Sequence, residues 1–229
     1  MSSIRINLNR LQERIKRACE LAFRDPETVK LLAVSKTKPA QLVEQAIEAG
    51  QLDFGENYLQ DALTKIPSFP GVTWHYIGAI QSNKTRDIAA YFDWVHTVSS
   101  VKVARRLDAQ RSDDVDPLNV LLQVNVNKEQ GKAGVREEDL LGLVKSLLPF
   151  KRIQLRGLMA IPQKTDDYTM QRTHFARLAS LQKQVQQQCA LPLFNELSMG
   201  MSADLEAAIV EGATWVRIGT DIFGERETP

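Results

Sequence analysis

Residues 29–39 read Val-Lys-Leu-Leu-Ala-Val-Ser-Lys-Thr-Lys-Pro, a short apolar run that ends in a polar turn before a proline. The run is too short for a typical helix, and its composition predicts a buried β-strand. Pro39 then opens a helical pattern that reaches Gly50, because proline suits the first turn of a helix and glycine suits its end. A strand followed by a helix is the repeating unit of a parallel α/β fold.

The same unit recurs along the rest of the chain. Further strands are predicted at Leu52–Gly55, Thr73–Ile77, Trp94–Val98, Leu118–Val126, Ile153–Met159, Glu196–Ser198 and Thr214–Ile218. Helices are predicted at Tyr58–Lys65, Asn83–Phe92, Val101–Gln110, Glu137–Leu148, Tyr168–Cys189 and Ala203–Glu211, after an opening amphipathic helix over Ile4–Leu21. Eight such units favour closure, so we predict a single (β/α)8 TIM-like barrel domain over residues 1–229 with an extra N-terminal helix. An open doubly wound sheet is the alternative.

Composition and charge narrow the class of protein. Hydrophobic residues make up 43% of the 229 and charged residues 25%, which is typical of a globular domain. The formal net charge of +1, without a long basic run, offers no electrostatic support for nucleic-acid binding. No stretch approaches the ~20 apolar residues of a membrane span, and the polar N-terminus does not resemble a signal peptide. Because Cys19 and Cys189 lie outside any metal-ligand spacing, we predict a cytoplasmic protein without a metal site.

The end of the first strand holds the first candidate site residue. Active sites of α/β barrels lie at the carboxyl ends of the strands. Lys36 shares a strand face with Leu32 and Val34, so it is expected to point into the mouth of the barrel. Burial there disfavours the ammonium and favours the neutral amine that Schiff-base formation requires. A solvated lysine at a strand end is the alternative, and it is the default interpretation for Lys38.

Two loops rich in small residues follow the seventh and eighth strands, where α/β barrels frequently bind phosphate. The first runs from Ser198 to Ser202 and leads into a predicted helix, whose N-terminal N–H groups suit an anion. Ser202 is otherwise a simple helix N-cap. In the second loop, Gly219 allows close approach of a ligand and Thr220 offers a hydroxyl and an N–H. Both loops are therefore predicted to contact a phosphate group.

Other polar residues are predicted near the same rim. Arg217 alternates with Trp215 and Gly219, so it is expected to face the mouth of the barrel. A shift of the strand register by one residue would turn it to the other face. The alternative role for Arg217 is an ion pair. Asn57 is a ligand contact or a helix N-cap. His75 is interpreted as structural. Lys84 and Lys132 follow other strands, and their roles stay open.

Six motifs stand in order along nearly the whole chain. They are Val34-Ser-Lys-Thr-Lys-Pro39, Phe54-Gly-Glu-Asn57, Trp74-His-Tyr-Ile-Gly78 with Gln81-Ser-Asn-Lys84, Arg156-Gly-Leu-Met159, Leu197-Ser-Met-Gly-Met-Ser202 and Val216-Arg-Ile-Gly-Thr220. Together these motifs resemble the YggS-type pyridoxal phosphate homeostasis proteins, relatives of the N-terminal barrel domain of alanine racemase.

The resemblance implies the fold-type III barrel of enzymes that use pyridoxal 5′-phosphate (PLP). Lys36 matches the lysine that holds PLP as a Schiff base, and Arg217 matches the arginine beside the pyridine nitrogen. Such an arginine keeps that nitrogen unprotonated and weakens the ring as an electron sink. The full set of candidate cofactor-binding residues is Lys36, Asn57, Ser198, Met199, Gly200, Ser202, Arg217, Gly219 and Thr220.

The resemblance also implies a role in intracellular vitamin B6 homeostasis without catalytic turnover, with PLP-dependent apo-enzymes as candidate partners. The chain ends at Pro229, shortly after the eighth strand, so we expect no second domain to supply the opposing acid–base of a racemase. No surplus apolar stripe demands a dimer, and a monomer is predicted. The alternatives are an amino-acid racemase acting as a dimer, a class I aldolase, and a barrel that binds a sugar phosphate.

Overall fold

The computed structural model describes residues 2–127, 129 and 131–225. Within these ranges the strands are β1 (Lys30–Val34), β2 (Asp53–Glu56), β3 (Thr73–Tyr76), β4 (Trp94–Val98), β5 (Leu118–Gln123), β6 (Ile153–Met159), β7 (Glu196–Ser198) and β8 (Trp215–Ile218). Each strand pairs in parallel with the next along the chain, and β8 pairs with β1. This closure confirms the predicted barrel and excludes the open doubly wound sheet.

Helices surround the barrel in the order that the sequence pattern predicts. In the described ranges they are α1 (Ser3–Leu21), α2 (Ala40–Glu48), α3 (Leu59–Lys65), α4 (Thr85–Tyr91), α5 (Val101–Gln110), α6 (Glu137–Leu147), α7 (Tyr168–Gln188), α8 (Leu205–Val210) and α9 (Thr220–Phe223). The eighth unit ends in the four-residue α9 instead of a full helix. Helix α1 fills that part of the outer ring, where it packs against α2, α8 and α9.

Helix α1 shows how the ring is held. It buries Ile4, Leu8, Leu11 and Ile15 at the expected spacing of three and four residues. Each large apolar side chain removed from water contributes roughly 1.5–3 kcal/mol, so this stripe anchors the helix to the barrel. Ser2 caps the helix by accepting the N–H of Arg5.

Large apolar side chains pack inside the barrel, beside the buried imidazoles of His75 and His96. A buried cluster there comprises Leu32, Trp94, Leu121, Met159 and Trp215. The rings of Trp94 and Trp215 lie 5.5 Å apart between their centroids. Alternate residues of the strands therefore point inward, and the barrel is a packed core with its usable space at one end.

Both cysteines are free thiols. Cys19 is a buried free thiol on the core-facing side of α1, and Cys189 is a half-buried free thiol that follows α7. None of the helices in the described ranges combines the length and the apolar character that crossing a bilayer demands.

Candidate functional site

A cavity of about 390 Å³ opens at the carboxyl ends of the strands, a size that suits a small-molecule ligand. Its walls come from the ends of β1, β6 and β8 and from the loops that follow them and β2, β3 and β7. Four cationic side chains and one carboxylate, Asp204, are among the described residues that line it. The cations are Lys36, Lys38, Lys164 and Arg217. This excess of positive charge favours an anionic ligand.

Lys36 lies on the wall of this cavity, as the alternation along β1 predicts. Leu32 is inside the barrel core, and Val34 and Lys36 line the cavity above it. The Lys36 side chain is half-buried. An amine therefore stands at the junction between the packed barrel and the open mouth.

The residues on either side of Lys36 are held by a buried network. Ser35 donates its hydroxyl to Glu56 Oε1 at 2.7 Å, and its carbonyl accepts from Lys65 Nζ at 2.9 Å. Thr37 donates its backbone N–H to Asp61 Oδ2 at 2.8 Å and has a φ of 61°, a conformation that is unusual for threonine. The turn that carries Lys36 is thus fixed from both sides.

Lys65 is the centre of that network. Its ammonium lies 2.7 Å from Glu56 Oε1 and 3.0 Å from Asp61 Oδ2, and its side chain is 2% exposed. Burial raises the pKa of Glu56 above its ordinary value, although the ammonium of Lys65 opposes this shift. Sequence reasoning missed Lys65, although the Asp61–Lys65 spacing of four residues on α3 was a usable signal.

Arg217 lies at the base of the cavity and is almost fully buried. Its Nη1 donates to Ser198 Oγ at 2.8 Å and its Nη2 to the Ala160 carbonyl at 2.9 Å. Burial lowers the pKa of Arg217 to about 10, so the guanidinium stays protonated near neutral pH. Ser198 itself is buried behind Arg217 and is not among the residues that line the cavity.

Some residues of the loop after β7 are buried, and others line the cavity. Met199 is buried in the core, and Gly200 adopts a φ of 92° where an added Cβ would lie 2.6 Å from Ala208 Cβ. Neither residue lines the cavity, whereas Ser202 does. Asp204 accepts the Met201 N–H at 2.6 Å, and burial raises the pKa of its carboxyl.

This arrangement corrects the local helix prediction. The Asp204 turn delays α8 until Leu205, so the predicted start at Ala203 is wrong and Ser202 is not the N-cap. Asn57 is likewise not an N-cap, because Tyr58 holds that position before α3, and Asn57 lines the cavity instead.

The loop after β8 brings Gly219 and Thr220 to the cavity wall. A Cβ at Gly219 would lie 3.1 Å from the Val34 carbonyl oxygen, so glycine here lets the end of β8 pack closely on β1. Thr220 begins α9, and the first N–H groups of a helix have no acceptor within it.

Arg14 on α1 connects the two loops. Its guanidinium donates to the Ser202 carbonyl at 2.9 Å and to Asp221 Oδ2 at 3.0 Å, and it bonds to Glu206 at 2.7 Å. Sequence reasoning missed this residue, because an arginine on the polar face of a helix reads as solvated.

Lys38 corrects another expectation. The default interpretation as a solvated lysine is wrong, since its ammonium donates to the carbonyls of Phe223, Gly224 and Glu225 at 3.2, 3.1 and 2.7 Å. These contacts hold the end of α9 against the cavity, in keeping with the preference of cations for helix C-termini.

Three further residues from the sequence patterns lie outside the lining of the cavity. His75 is fully buried inside the barrel, which agrees with a structural role. Lys84 ends a short 3-10 turn over Ser82–Lys84, and Lys132 forms a half-exposed ion pair with Glu129.

Comparison with known proteins identifies the family of this fold and cavity. The model of the family "Alanine racemase, N-terminal domain" matches residues 6–227. The pyridoxal phosphate homeostasis protein of Pseudomonas aeruginosa is 53% identical over 99% of this chain and 97% of its own. The protein of the same name from Escherichia coli K12 is 43% identical over 99% of this chain and 98% of its own.

Two solved structures have the same fold as this chain. PipY of Synechococcus elongatus, solved with PLP bound, is 38% identical and superposes with a TM-score of 0.80 over 92% of this chain and 99% of its own. An alanine racemase of Clostridium difficile, at 16% identity and a TM-score of 0.72, covers 98% of this chain and 57% of its own, and shares the fold. The chain therefore belongs to the alanine racemase N-terminal domain family, among the relatives named pyridoxal phosphate homeostasis proteins.

Proposed function

We propose that this protein binds pyridoxal 5′-phosphate in the cavity, holds it as a Schiff base on Lys36 and serves PLP homeostasis without catalytic turnover. The observation that carries the proposal is the convergence of three kinds of group on one cavity. An amine (Lys36), a protonated guanidinium (Arg217) and the hydroxyls of Ser202 and Thr220 all line it. PipY, which the chain resembles at 38% identity, has been solved with PLP bound.

The residues of the cavity fit the cofactor. Bound PLP supplies an aldehyde, a pyridine ring and a phosphate dianion. Lys36 would meet the aldehyde, Arg217 the ring nitrogen, and Ser202, Gly219 and Thr220 the phosphate. Asn57 lies on the wall after β2, where it can contact the ring. We assign Ser198, Met199 and Gly200 to the support of these contacts, since they lie behind the lining.

Two observations support a carrier instead of an enzyme. The relatives at 43–53% identity are named as homeostasis proteins. Arg217 stays protonated near neutral pH, and a guanidinium beside the ring nitrogen disfavours carbanion chemistry. We also propose that the barrel acts as a monomeric, single PLP-binding domain in the cytoplasm, where its free thiols would stay reduced, and that apo-enzymes receive PLP from it.

Absorption spectroscopy and peptide mapping test the binding proposal. Protein titrated with PLP is expected to gain an absorption band at longer wavelength than that of free PLP, because a protonated Schiff base withdraws electrons from the ring more strongly than the aldehyde does. Borohydride reduction should then place a phosphopyridoxyl group on the peptide that contains Lys36. A protein that is colourless after saturation with PLP and removal of the free PLP refutes the proposal.

Turnover is tested separately with PLP-loaded protein. Incubation with a panel of L-amino acids is expected to leave their chirality unchanged and to release no keto acid. Robust racemisation in this assay would replace the carrier proposal with an amino-acid racemase.

Loss of one contact to the phosphate is expected to weaken PLP binding without abolishing it. Ser202→Ala and Thr220→Val are each expected to weaken PLP binding by roughly 1–3 kcal/mol, because each leaves a charged acceptor one donor short. The dissociation constant from fluorescence titration measures this loss, and Lys36 should still form its adduct. Ser180→Ala, on the exposed face of α7, is the matched control and should bind PLP as the unchanged protein does. Unaltered affinity in both cavity variants would contradict the phosphate placement.

A further inference from the structure

A line of polar side chains crosses the inside of the barrel and ends at Arg217. Asp53 begins β2, at the amino-end mouth of the barrel, and its side chain is 31% exposed. Its Oδ1 lies 3.2 Å from His75 Nε2, and His75 Nδ1 lies 3.0 Å from His96 Nε2. His96 Nδ1 lies 2.9 Å from Ser198 Oγ, which accepts from Arg217 at 2.8 Å. Four contacts therefore connect the far mouth to the base of the cavity.

The inner part of this line is closed off by aromatic rings. His75, His96 and Ser198 have no exposed surface. The His75 ring stacks on Trp94 at 5.6 Å between centroids and meets the edge of Trp215 at 4.8 Å. Buried polar groups need hydrogen-bond partners, so each imidazole nitrogen has to be satisfied by its neighbour in the line.

The two ends determine the direction of every hydrogen bond between them. A guanidinium only donates, an ionised carboxylate only accepts, and a neutral imidazole has one donor and one acceptor. Arg217 therefore donates to Ser198, whose hydroxyl donates to His96 Nδ1. The Nε2–H of His96 then donates to His75 Nδ1, and the Nε2–H of His75 donates to Asp53. All donors and acceptors in the line are matched.

The reverse direction is disfavoured. It would place the lone pair of His75 Nε2 against the Asp53 carboxylate unless His75 carried a second proton. Burial lowers the pKa of His75, although Asp53 opposes this shift. Burial lowers the pKa of His96 well below its usual value, and the positive charge that His75 would carry if protonated and that of Arg217 lower it further. Neutral imidazoles suit only the direction from Arg217 to Asp53.

We propose that His75, His96 and Ser198 are positioning residues for the cavity, because they form a one-way hydrogen-bond chain that orients the Arg217 guanidinium. Both histidines carry their proton on Nε2. Since its hydrogen is committed to His96, the Ser198 hydroxyl turns a lone pair toward Arg217 and holds the guanidinium together with the Ala160 carbonyl. The part of this proposal that concerns PLP rests on the proposed function, whereas the hydrogen-bond chain itself does not.

Nitrogen-15 NMR of the histidine rings tests the chain in full-length protein before and after PLP is added. His75 and His96 are expected to show the Nε2–H tautomer near neutral pH. His174 gives an internal contrast: Asn127 Oδ1 accepts the Gln163 N–H, so its amide NH₂ donates to His174 Nε2 and predicts the Nδ1–H tautomer. An Nδ1–H or doubly protonated ring at His75 or His96 would overturn the proposal.

Two substitutions at His96 then test the effect on PLP. His96→Leu removes the acceptor of the Ser198 hydroxyl and is expected to speed PLP dissociation about tenfold and to shift the absorption band. His96→Asn keeps an amide oxygen near the position of Nδ1, and it should restore the rate to within about twofold.

The outcomes are separable. Equal dissociation rates and unshifted bands in the leucine variant and the unchanged protein would refute the positioning role. If the leucine variant does not fold, Ser198→Ala takes its place, since it deletes only the hydroxyl. An unchanged protein that binds no PLP refutes the proposed function, while the tautomers still decide whether the chain exists.

Discussion

Lys36→Met is expected to abolish covalent retention of PLP while the barrel stays folded. Methionine keeps the length of the side chain on the cavity wall but has no amine to attack the aldehyde. Arg217 and the phosphate contacts are still present, so PLP should bind weakly and without the longer-wavelength band. Borohydride reduction followed by intact mass measurement should show no stable adduct in this variant, against one per chain in the unchanged protein.

Lys164 provides the matched control for this experiment. It is one of the two other lysines on the wall of the same cavity, in the segment that follows β6. Lys164→Met is expected to keep both the band and the borohydride adduct, because the buried network around Ser35 and Thr37 orients Lys36 and not Lys164. An adduct that survives in Lys36→Met and disappears in Lys164→Met would reassign the Schiff-base lysine.

The barrel and the position of Lys36 could both be predicted from local pattern. Period-two alternation places Leu32 and Lys36 on one face of the predicted first strand. In the structure Leu32 lies inside the barrel, and Lys36, two residues beyond the end of β1, lines the cavity on the same side. Helix and strand limits could be predicted closely where apolar periodicity was long. They were missed where a single side chain decided them, as Asp204 does at the start of α8.

The support of the candidate site could not be predicted in this way, because its contacts join residues far apart in the sequence. Arg14 reaches Ser202 across 188 positions, and His96 reaches Ser198 across 102. Local periodicity says which face a side chain occupies, but not which distant residue faces it after closure. The residues that would contact a ligand can be predicted from the sequence pattern. The residues that orient them are identified only by the tertiary contacts of the closed barrel.

Lys65→Met is expected to lower the free energy of unfolding by about 3–5 kcal/mol, because it leaves a buried carboxylate without its cation. Glu56 has no exposed surface and lies 2.7 Å from the Lys65 ammonium, which also bonds to the Ser35 carbonyl. Urea unfolding measures the loss. Lys132→Met is the matched control: its ion pair with Glu129 is partly exposed, and the change should stay below about 1 kcal/mol.

The pH dependence of this deficit distinguishes a stranded charge from lost packing. Burial raises the pKa of Glu56, and removal of Lys65 takes away the opposing charge that lowers it. In the variant, the folded state therefore holds the Glu56 proton to higher pH than the unfolded chain does. The protonated Glu56 therefore stabilises the folded variant in acid, and this contribution is lost as the pH rises through the raised pKa of Glu56. The deficit should be smaller near about pH 5 than near about pH 8.

Removing the Glu56 carboxylate as well should reverse most of the effect of Lys65→Met. In Lys65→Met combined with Glu56→Gln the buried carboxylate is gone, so most of the stability should return and the deficit should lose its pH dependence. The Asp61 side chain still accepts the Thr37 N–H, which keeps the Lys36 turn closed on one side. Equal deficits for the single variant at both pH values, or no recovery in the double variant, would mean that packing around the Lys65 side chain, and not its charge, stabilises this end of the barrel.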